Sequence, residues 1–403
     1  MDTQYASYSL NHKNNSKIEN KIYLHNNIRY TIKSYDPKYI CNDTCENLTL
    51  YRSVIFSHPE NTLLSFSPHK SVLKEDFCNK YEMNDDDIYI NEYIDGTMIH
   101  LFYDYRVNQW EIATKNSIGG NYKLMNSRLK QKTIKTVREM FIDAFTRDRL
   151  SETNNVYNNP IINGFPKNNS YTFVFLHPDN PIAHHITQPY LYLTNVFDIT
   201  SNIHRVVSIP PHIFEDWVEF KDTCILFPKT KSFPSWDTLE PNKLIHFDSD
   251  HGVNCGYVAT HLPSGERCKF YNAKYLEKLR IKTISSPLLF HYLCLRRSNM
   301  LNEFIQLFPH SKKSFRIFKT HFSEFIENIH SAYLMKYVWK NGIQIEERFD
   351  KYIIQIHRDI YIPNIRSKMR ITKKTVFDFL IQKHPTELLY DLFSENRSTK
   401  IIV

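Results

Sequence analysis

Alternation of apolar and polar residues runs through the first 285 positions. Across residues 88–102, aliphatic and aromatic side chains alternate with polar ones on both sides of Asp95-Gly96, which is strand periodicity. An Asp-Gly pair supplies the positive φ of a tight reversal, so this stretch is expected to form a hairpin. Residues 22–24 and 29–32 read as an earlier hairpin around Asn26-Asn27. Residues 51–56 and 62–68 read as strands joined by a turn at 58–61. Residues 109–115, 171–176, 191–197, 254–260 and 267–272 repeat the pattern. Between them, 116–121 and 261–266 read as turns, and 151–169 as an Asn/Pro-rich loop.

The period changes to that of a helix in two places. Over 133–149, Ile134, Val137, Phe141, Ala144 and Phe145 recur at three- and four-residue intervals, giving one buried face. From about residue 285 helical spacing takes over: 287–296, 300–308, 313–338 and 343–360, then, after Pro363, 374–382 and 386–393. Phe315, Phe318, Phe322, Phe325 and Ile329 form a core-like stripe. The pattern predicts an α+β fold in three parts. These are a polar lead with a first hairpin (1–48), a strand-rich stretch with a helix (49–285) and a helical C-terminal domain (286–403).

Composition narrows the class. With 403 residues, 41% hydrophobic and 14% aromatic, the chain can bury a large core and is not a disordered composition. No run of about 18 apolar residues marks a membrane span, and residues 1–20 lack a signal-peptide core. The seven cysteines are expected to remain thiols in an intracellular, reducing compartment. Cys41 and Cys45 are the only close pair and lack a partner pair for zinc. His177, His184 and His185 are metal ligands by type only, and no metal site is expected. A net charge of +8 suits a polyanionic partner without identifying one. Arg296-Arg297, Lys312-Lys313 and the group Arg366, Lys368, Arg370, Lys373 and Lys374 read as solvated faces or as an RNA-contacting surface.

Only eight glycines are present. Abundant Asn, Ile, Lys and Tyr resemble the codon bias of an AT-rich genome, such as that of a large DNA virus. Under such a bias, glycines persist where a Cβ is not tolerated. Gly96, Gly119, Gly120, Gly252, Gly256 and Gly265 lie in or beside the patterned segments; Gly164 and Gly342 do not. The Gly119-Gly120 loop is a candidate phosphate cradle.

Tyr93-Ile94-Asp95-Gly96-Thr97 resembles the nucleotidyl-attachment motif of ATP-dependent RNA ligases and capping enzymes, lysine-any-aspartate-glycine-serine/threonine. Asp95, Gly96 and Thr97 match; Tyr93 stands where the family has its lysine. Other segments resemble the phage-type RNA ligases in the same order. Arg52 opens a strand that leads through Phe66-Ser67-Pro68-His69-Lys70. Lys115 precedes the Gly119-Gly120 loop. An aromatic strand at 171–176 runs into proline. Cys255-Gly256-Tyr257-Val258 is followed by Lys269-Phe270-Tyr271, Asn272 and Tyr275. The resemblance implies an α+β nucleotidyltransferase domain of antiparallel sheets with helices over 49–285, with ATP and Mg²⁺ as cofactors if the chain is active.

In this family the motif lysine attacks the α-phosphate of ATP, and the AMP passes to an RNA 5′-phosphate. The resemblance places the lost lysine at Tyr93, beside Asp95, Gly96 and Lys269. It places nucleotide contacts at Arg52, Lys115, Cys255, Tyr257 and Tyr271. The metal-side glutamate is Cys255, the second late lysine is Tyr271, and an arginine is Pro181. Four losses point to a catalytically silent homologue that binds RNA, a nucleotide or a protein partner. The alternatives are a working RNA ligase with a relocated nucleophile (Tyr93 itself, Lys115, Lys80 or Cys255) and a structural component of a large DNA virus. On the first reading, Tyr93, Cys255 and Lys269 should line one cleft.

Overall fold

The computed structural model describes residues 5–10, 17–36, 48–123, 135–146, 156–180, 186–244, 254–281, 288–340, 342, 344–367 and 369–392. Cys41, Cys45, Pro181, His184, His185, Gly252, Ile134 and Lys368 lie outside them. The described residues fall into two compact units, one up to Arg280 and one from Ile281 on.

The first unit carries the strands β1 (Ser7–Ser9), β2 (Ile18–His25), β3 (Ile28–Tyr35), β4 (Val54–Ser57), β5 (Leu63–Phe66), β6 (Ile88–Ile94), β7 (Thr97–Asp104), β8 (Gln109–Thr114) and β9 (Ser117–Ile118). They continue as β10 (Asn169–Leu176), β11 (Tyr190–Thr200), β12 (Arg205–Ile209), β13 (Ile225–Leu226), β14 (Asn254–His261) and β15 (Arg267–Tyr271). Its helices are α1 (Lys74–Lys80), α2 (Val137–Thr146), α3 (Pro160–Asn163), α4 (Pro211–Phe214) and α5 (Ala273–Ile281).

Three sheets result. The largest runs β1-β12-β11-β10-β7-β8-β9, with β13 parallel to β11; the others run β2-β3-β4-β5 and β15-β14-β6. Every other pairing between these strands is antiparallel among the described residues. The fold is thus α+β with antiparallel sheets, and the first hairpin shares a sheet with β4 and β5.

Residues 88–102 do not form the expected hairpin. β6 pairs with β14, and β7 pairs with β10 and β8. Asp95-Gly96 is the point where the chain leaves one sheet for another. Gly96 has no positive φ. Its smallness serves a close approach instead, because a Cβ there would lie 2.5 Å from the Phe175 carbonyl oxygen and 2.7 Å from Val174 Cγ1. Strand period was read correctly; which strand each one pairs with is a long-range property that period does not encode.

Alternation then sorts the faces. Ile99, Leu101, Tyr171, Phe173, Phe175, Leu191 and Leu193 of the large sheet pack with Val137, Phe141, Ala144 and Phe145 of α2. On the three-stranded sheet, Ile90, Tyr257, Ala259, Cys268 and Phe270 pack on Phe77 and Tyr81, and Trp236 stacks on Phe270 at 5.5 Å. The opposite faces of these two sheets are left to form a cleft. The stretch read as a loop at 151–169 contains α3. Its cap Asn159 accepts from the Ile161 and Ile162 amides, at 3.0 and 3.3 Å, with Pro160 at the first helical position, a local signal for a short helix.

The second unit is helical: α6 (Leu288–Arg297), α7 (Leu301–Leu307), α8 (Lys312–Tyr333), α9 (Glu347–Ile356), α10 (Lys373–Ile381) and α11 (Pro385–Leu392). The stripe from Phe315 to Ile329 is buried along α8 and forms the centre of one core with Tyr352, Ile353, Val376 and Leu380. Among the described residues no helix is long and apolar enough to cross a membrane.

Candidate functional site

A cleft of about 170 Å³ lies between the exposed faces of the large and the three-stranded sheets, within the first unit. Its three-stranded wall is built in rows by register. Tyr89, Thr260 and Arg267 lie opposite one another, as do Asn91, Val258 and Lys269, and all six line the cleft. Because side chains two apart on a strand share a face, Arg267 and Lys269 point the same way while Cys268 and Phe270 point into the core. The facing wall carries Gly96, Met98, Thr172, Val174, Thr194 and Ser208, and Arg52 closes one side.

The third row is irregular. On β14 the register shifts between Asn254 and Tyr257, so Cys255 and Gly256 together oppose Tyr93, a β-bulge. Gly256 takes φ +136°, and a Cβ there would lie 1.9 Å from the Phe270 carbonyl oxygen. The bulge turns Cys255 inward. It is fully buried and packs with Tyr275, Tyr93, Tyr271 and Leu279. The Tyr93 ring meets Tyr271 edge-on at 5.6 Å and Tyr275 at 5.9 Å, and its hydroxyl donates to Asp95 Oδ1 at 3.4 Å.

Three cations, Arg52, Arg267 and Lys269, and two carboxylates, Glu92 and Asp95, line the cleft. Arg52, Arg267 and Lys269 sit deep in protein while staying partly open to the cleft, and among the described residues none forms an ion pair. Arg267 donates from Nε to the His69 carbonyl at 2.8 Å. Burial, reinforced by Arg52, lowers Arg267 to about 9. Burial, then Arg267 and Arg52, brings Lys269 from 10.5 to about 7, against an opposing pull from Asp95. Burial lowers Arg52 as well. Burial and the nearby Arg52 hold His100 neutral at about 3, and its Nε2 has no partner. Lys269 Nζ lies 4.1 Å from the Tyr93 ring centroid, a cation–π distance when the amine is charged.

Of the residues singled out in the sequence, Tyr93, Asp95, Gly96, Arg52 and Lys269 come together on the cleft. Cys255, Tyr257, Tyr271 and Lys115 do not line it. Cys255 and Tyr271 lie behind Tyr93, so the expectation that Cys255 shares the cleft with Tyr93 and Lys269 is corrected: the bulge inverts its face. Tyr257 faces the opposite core. Lys115 lies near Arg52 and Lys70, which with burial lower its pKa, and its Nζ is 5.3 Å from the Tyr35 ring.

The Gly119-Gly120 loop has the positive φ of a cradle, +84° and +65°, but the place a ligand would take is filled. A Cβ on Gly119 would meet the His25 ring, and one on Gly120 would meet the Arg138 amide. His25 and Arg138 both bind buried Glu111, at 3.0 and 2.6 Å. Arg267 was not singled out. Its position two residues before Lys269 on a strand was the available signal. Among the described residues no group of three His, Cys, Asp or Glu is gathered to hold a metal; His177 instead contacts Asp143 and Asp179. None of the five described cysteines forms a disulfide.

No protein-family model matches the chain, and no curated protein matches it. Some solved structures are similar. A mutant of the Naegleria gruberi RNA ligase with ATP and Mn is 11% identical, with 53% of this chain aligned to 58% of that one at a TM-score of 0.35. The same ligase with PPi gives 12%, 54%, 59% and 0.36. A putative ATP-dependent DNA ligase from Aquifex aeolicus gives 9%, 75%, 72% and 0.38. The chain spans less than three fifths of the first two structures. At such scores the likeness assigns no residue a role.

Proposed function

We propose that this chain is an RNA ligase-like protein whose cleft binds the phosphates of a nucleotide or of an RNA end, and that Tyr93 does no nucleophilic work there. One observation carries the reading: Arg52, Arg267 and Lys269 converge on a cleft without an ion pair among the described residues. Desolvated like charges repel and are costly to hold together. Such an arrangement is stabilised when an anion enters, and guanidinium forks match phosphate oxygens. The ordered sequence resemblance to RNA ligases supports the choice of ligand class. A divalent ion would come with the polyphosphate rather than from a protein cage.

Tyr93 is opposed as nucleophile by its own environment. Burial first, then the Asp95 carboxylate, pushes its phenol well above the ordinary value, so the phenolate is scarce at neutral pH. Burial likewise pushes the Cys255 thiol up and it does not reach the cleft, while Lys80 is held by Glu266 at 2.9 Å.

The test is equilibrium binding of ATP and of a 5′-phosphorylated oligoribonucleotide at low and high salt. Binding is expected to weaken with salt, and Arg267→Ala, checked for folding by circular dichroism, is expected to weaken it by about tenfold or more, the worth of one charged hydrogen-bond pair. Absence of binding to both ligands at low salt would end this reading.

A further inference from the structure

The positive charge of the chain is unevenly placed. Residues 281–403 hold 20 Lys and Arg against 11 Asp and Glu, whereas residues 1–280 hold 31 against 32. Part of this excess borders a groove of about 480 Å³ inside the helical unit. Ile360, Met369 and Phe379 give the groove an apolar lining, and Asp378 and Lys383 are among its polar members. One wall is α10. The other includes the π-turn His357–Tyr361 that follows α9, a widened turn of the kind found at functional sites. Stacked rings hold that turn. The His357 ring centroid lies 3.8 Å from that of Tyr337 and 5.1 Å from that of Tyr361, and His357 Nδ1 is 3.1 Å from the Tyr333 hydroxyl. Lys383 donates to Gln355 Oε1 at 2.5 Å and lies over the Phe379 ring. The groove is thus formed before any ligand arrives, which lowers the cost of binding.

The cations of this stretch differ in what holds them. Arg358 pairs with Asp359 and Lys373 with Glu327. Arg366, Arg370 and Lys374 are exposed and form no ion pair among the described residues. Arg370 follows Met369 in the chain, and Lys374 stands four residues before Asp378 on α10. In the same stretch Ile362 and Ile365 are 52% and 55% exposed. We propose that this groove docks an acidic amphipathic segment of a partner protein. Its apolar side chains would seat on Ile360, Met369 and Phe379, and its carboxylates would meet Arg366, Arg370 and Lys374.

Apolar floor and cationic border together select this occupant. Short amphipathic helices are held in grooves by apolar anchors, with charge at the edge. An RNA strand fits the border but not the floor. Base edges set against Ile360 and Met369 lose water without gaining hydrogen bonds. Asp378 repels a phosphate backbone, whereas it accepts from a peptide amide or hydroxyl. A second copy of this chain would bring the same positive excess to the same face and be repelled.

The experiment uses the full chain and a fluorescein-labelled amphipathic peptide of about four helical turns, with Leu along one face and Glu along the other. Two control peptides carry Lys for every Glu, or Ser for every Leu, and a labelled oligoribonucleotide tests the other class of ligand. The acidic peptide is expected to bind with a Kd of about 100 μM or tighter, more weakly as salt rises, and each control peptide at least about tenfold more weakly. Met369→Glu and Arg370→Glu, checked by circular dichroism, should each weaken the acidic peptide by at least about fivefold and leave ATP binding unchanged. A benzophenone placed on the Leu face should crosslink within residues 357–383. No saturable binding of the acidic peptide overturns the proposal, as do equal binding of the Lys peptide, unchanged affinity in both variants, or crosslinks confined to other segments. Oligoribonucleotide that displaces the peptide and is itself lost in both variants would assign the groove to nucleic acid instead, and overturns it too.

Discussion

The site has a cationic half that lines the cleft and an aromatic half packed behind it, which reaches the cleft through Tyr93, and the same strand supplies both. On β15, Arg267 and Lys269 face the cleft, while Tyr271, two residues on, joins Tyr93, Tyr275 and Cys255 in a packed cluster. Read along the sequence, Tyr93, Cys255 and Tyr271 are separate departures from the ligase pattern. In the structure they touch. The resemblance places two lysines and one glutamate at these three positions. On that resemblance, exchanging all three would remove opposite charges from one volume, with the Asp95 carboxylate left to accept from the Tyr93 hydroxyl. Replacing a buried ionic group by well-packed apolar side chains is often neutral or stabilising. The cationic half shows the opposite choice, with repulsive charges kept where packing would favour their removal.

The largest expected effect is at the seam between the halves. Gly256 opposes Tyr93 in the bulge and has φ +136°. Gly256→Ala adds a Cβ that would lie 1.9 Å from backbone oxygen, and backbone cannot move aside cheaply. A loss of about 3 kcal/mol or more is expected, read by urea denaturation. A loss below about 1 kcal/mol would mean that the bulge is not what turns Cys255 away from the cleft.

A smaller effect, of opposite sign, is expected from Lys269→Met. Burial and its cationic neighbours take Lys269 from 10.5 to about 7. Between those values the unfolded chain holds a proton that the folded chain has released. Stability therefore rises as pH climbs from 7 towards 10.5, and the lysine is most destabilising below pH 7. Removing it should stabilise the fold by about 2 kcal/mol at pH 7, after allowance for solvent reaching the amine through the cleft. The rise in stability between pH 7 and 10 should flatten. Unchanged stability, with the same pH slope as the parent, would show that Lys269 is not held against its own solvation.

How far the sequence disclosed this site depends on the range of the cause. Strand period placed β6, β7, β14 and β15 within a few residues, because it is set by which face is buried. The stripe from Phe315 to Ile329 was legible for the same reason. Pairing was not: Asp95-Gly96 carries the composition of a hairpin turn, yet Gly96 answers to Phe175, nearly eighty residues away. The inward turn of Cys255 was hidden too, since a bulge shifts parity by one residue and only Gly256 hints at it. Arg267 was within reach of a period-two argument from Lys269. Gly119-Gly120 misled because its conformation is that of a cradle while His25, from β2, fills the space.

The smallest effect tests whether packing or hydrogen bonding holds the aromatic half. Tyr93 donates to Asp95 Oδ1 at 3.4 Å, long for a hydroxyl donor, whereas its ring makes two edge-on contacts and carries Lys269. Tyr93→Phe keeps every ring contact and deletes only the hydroxyl. If the exchange of charges for rings is a packing solution, the variant should lie within about 1 kcal/mol of the parent in denaturation. A loss of about 2 kcal/mol or more would place the stabilisation in the hydroxyls gathered around Asp95. The three tyrosines would then form a polar network in their own right, and the contrast between the two halves would be one of hydrogen bonding rather than of charge against packing.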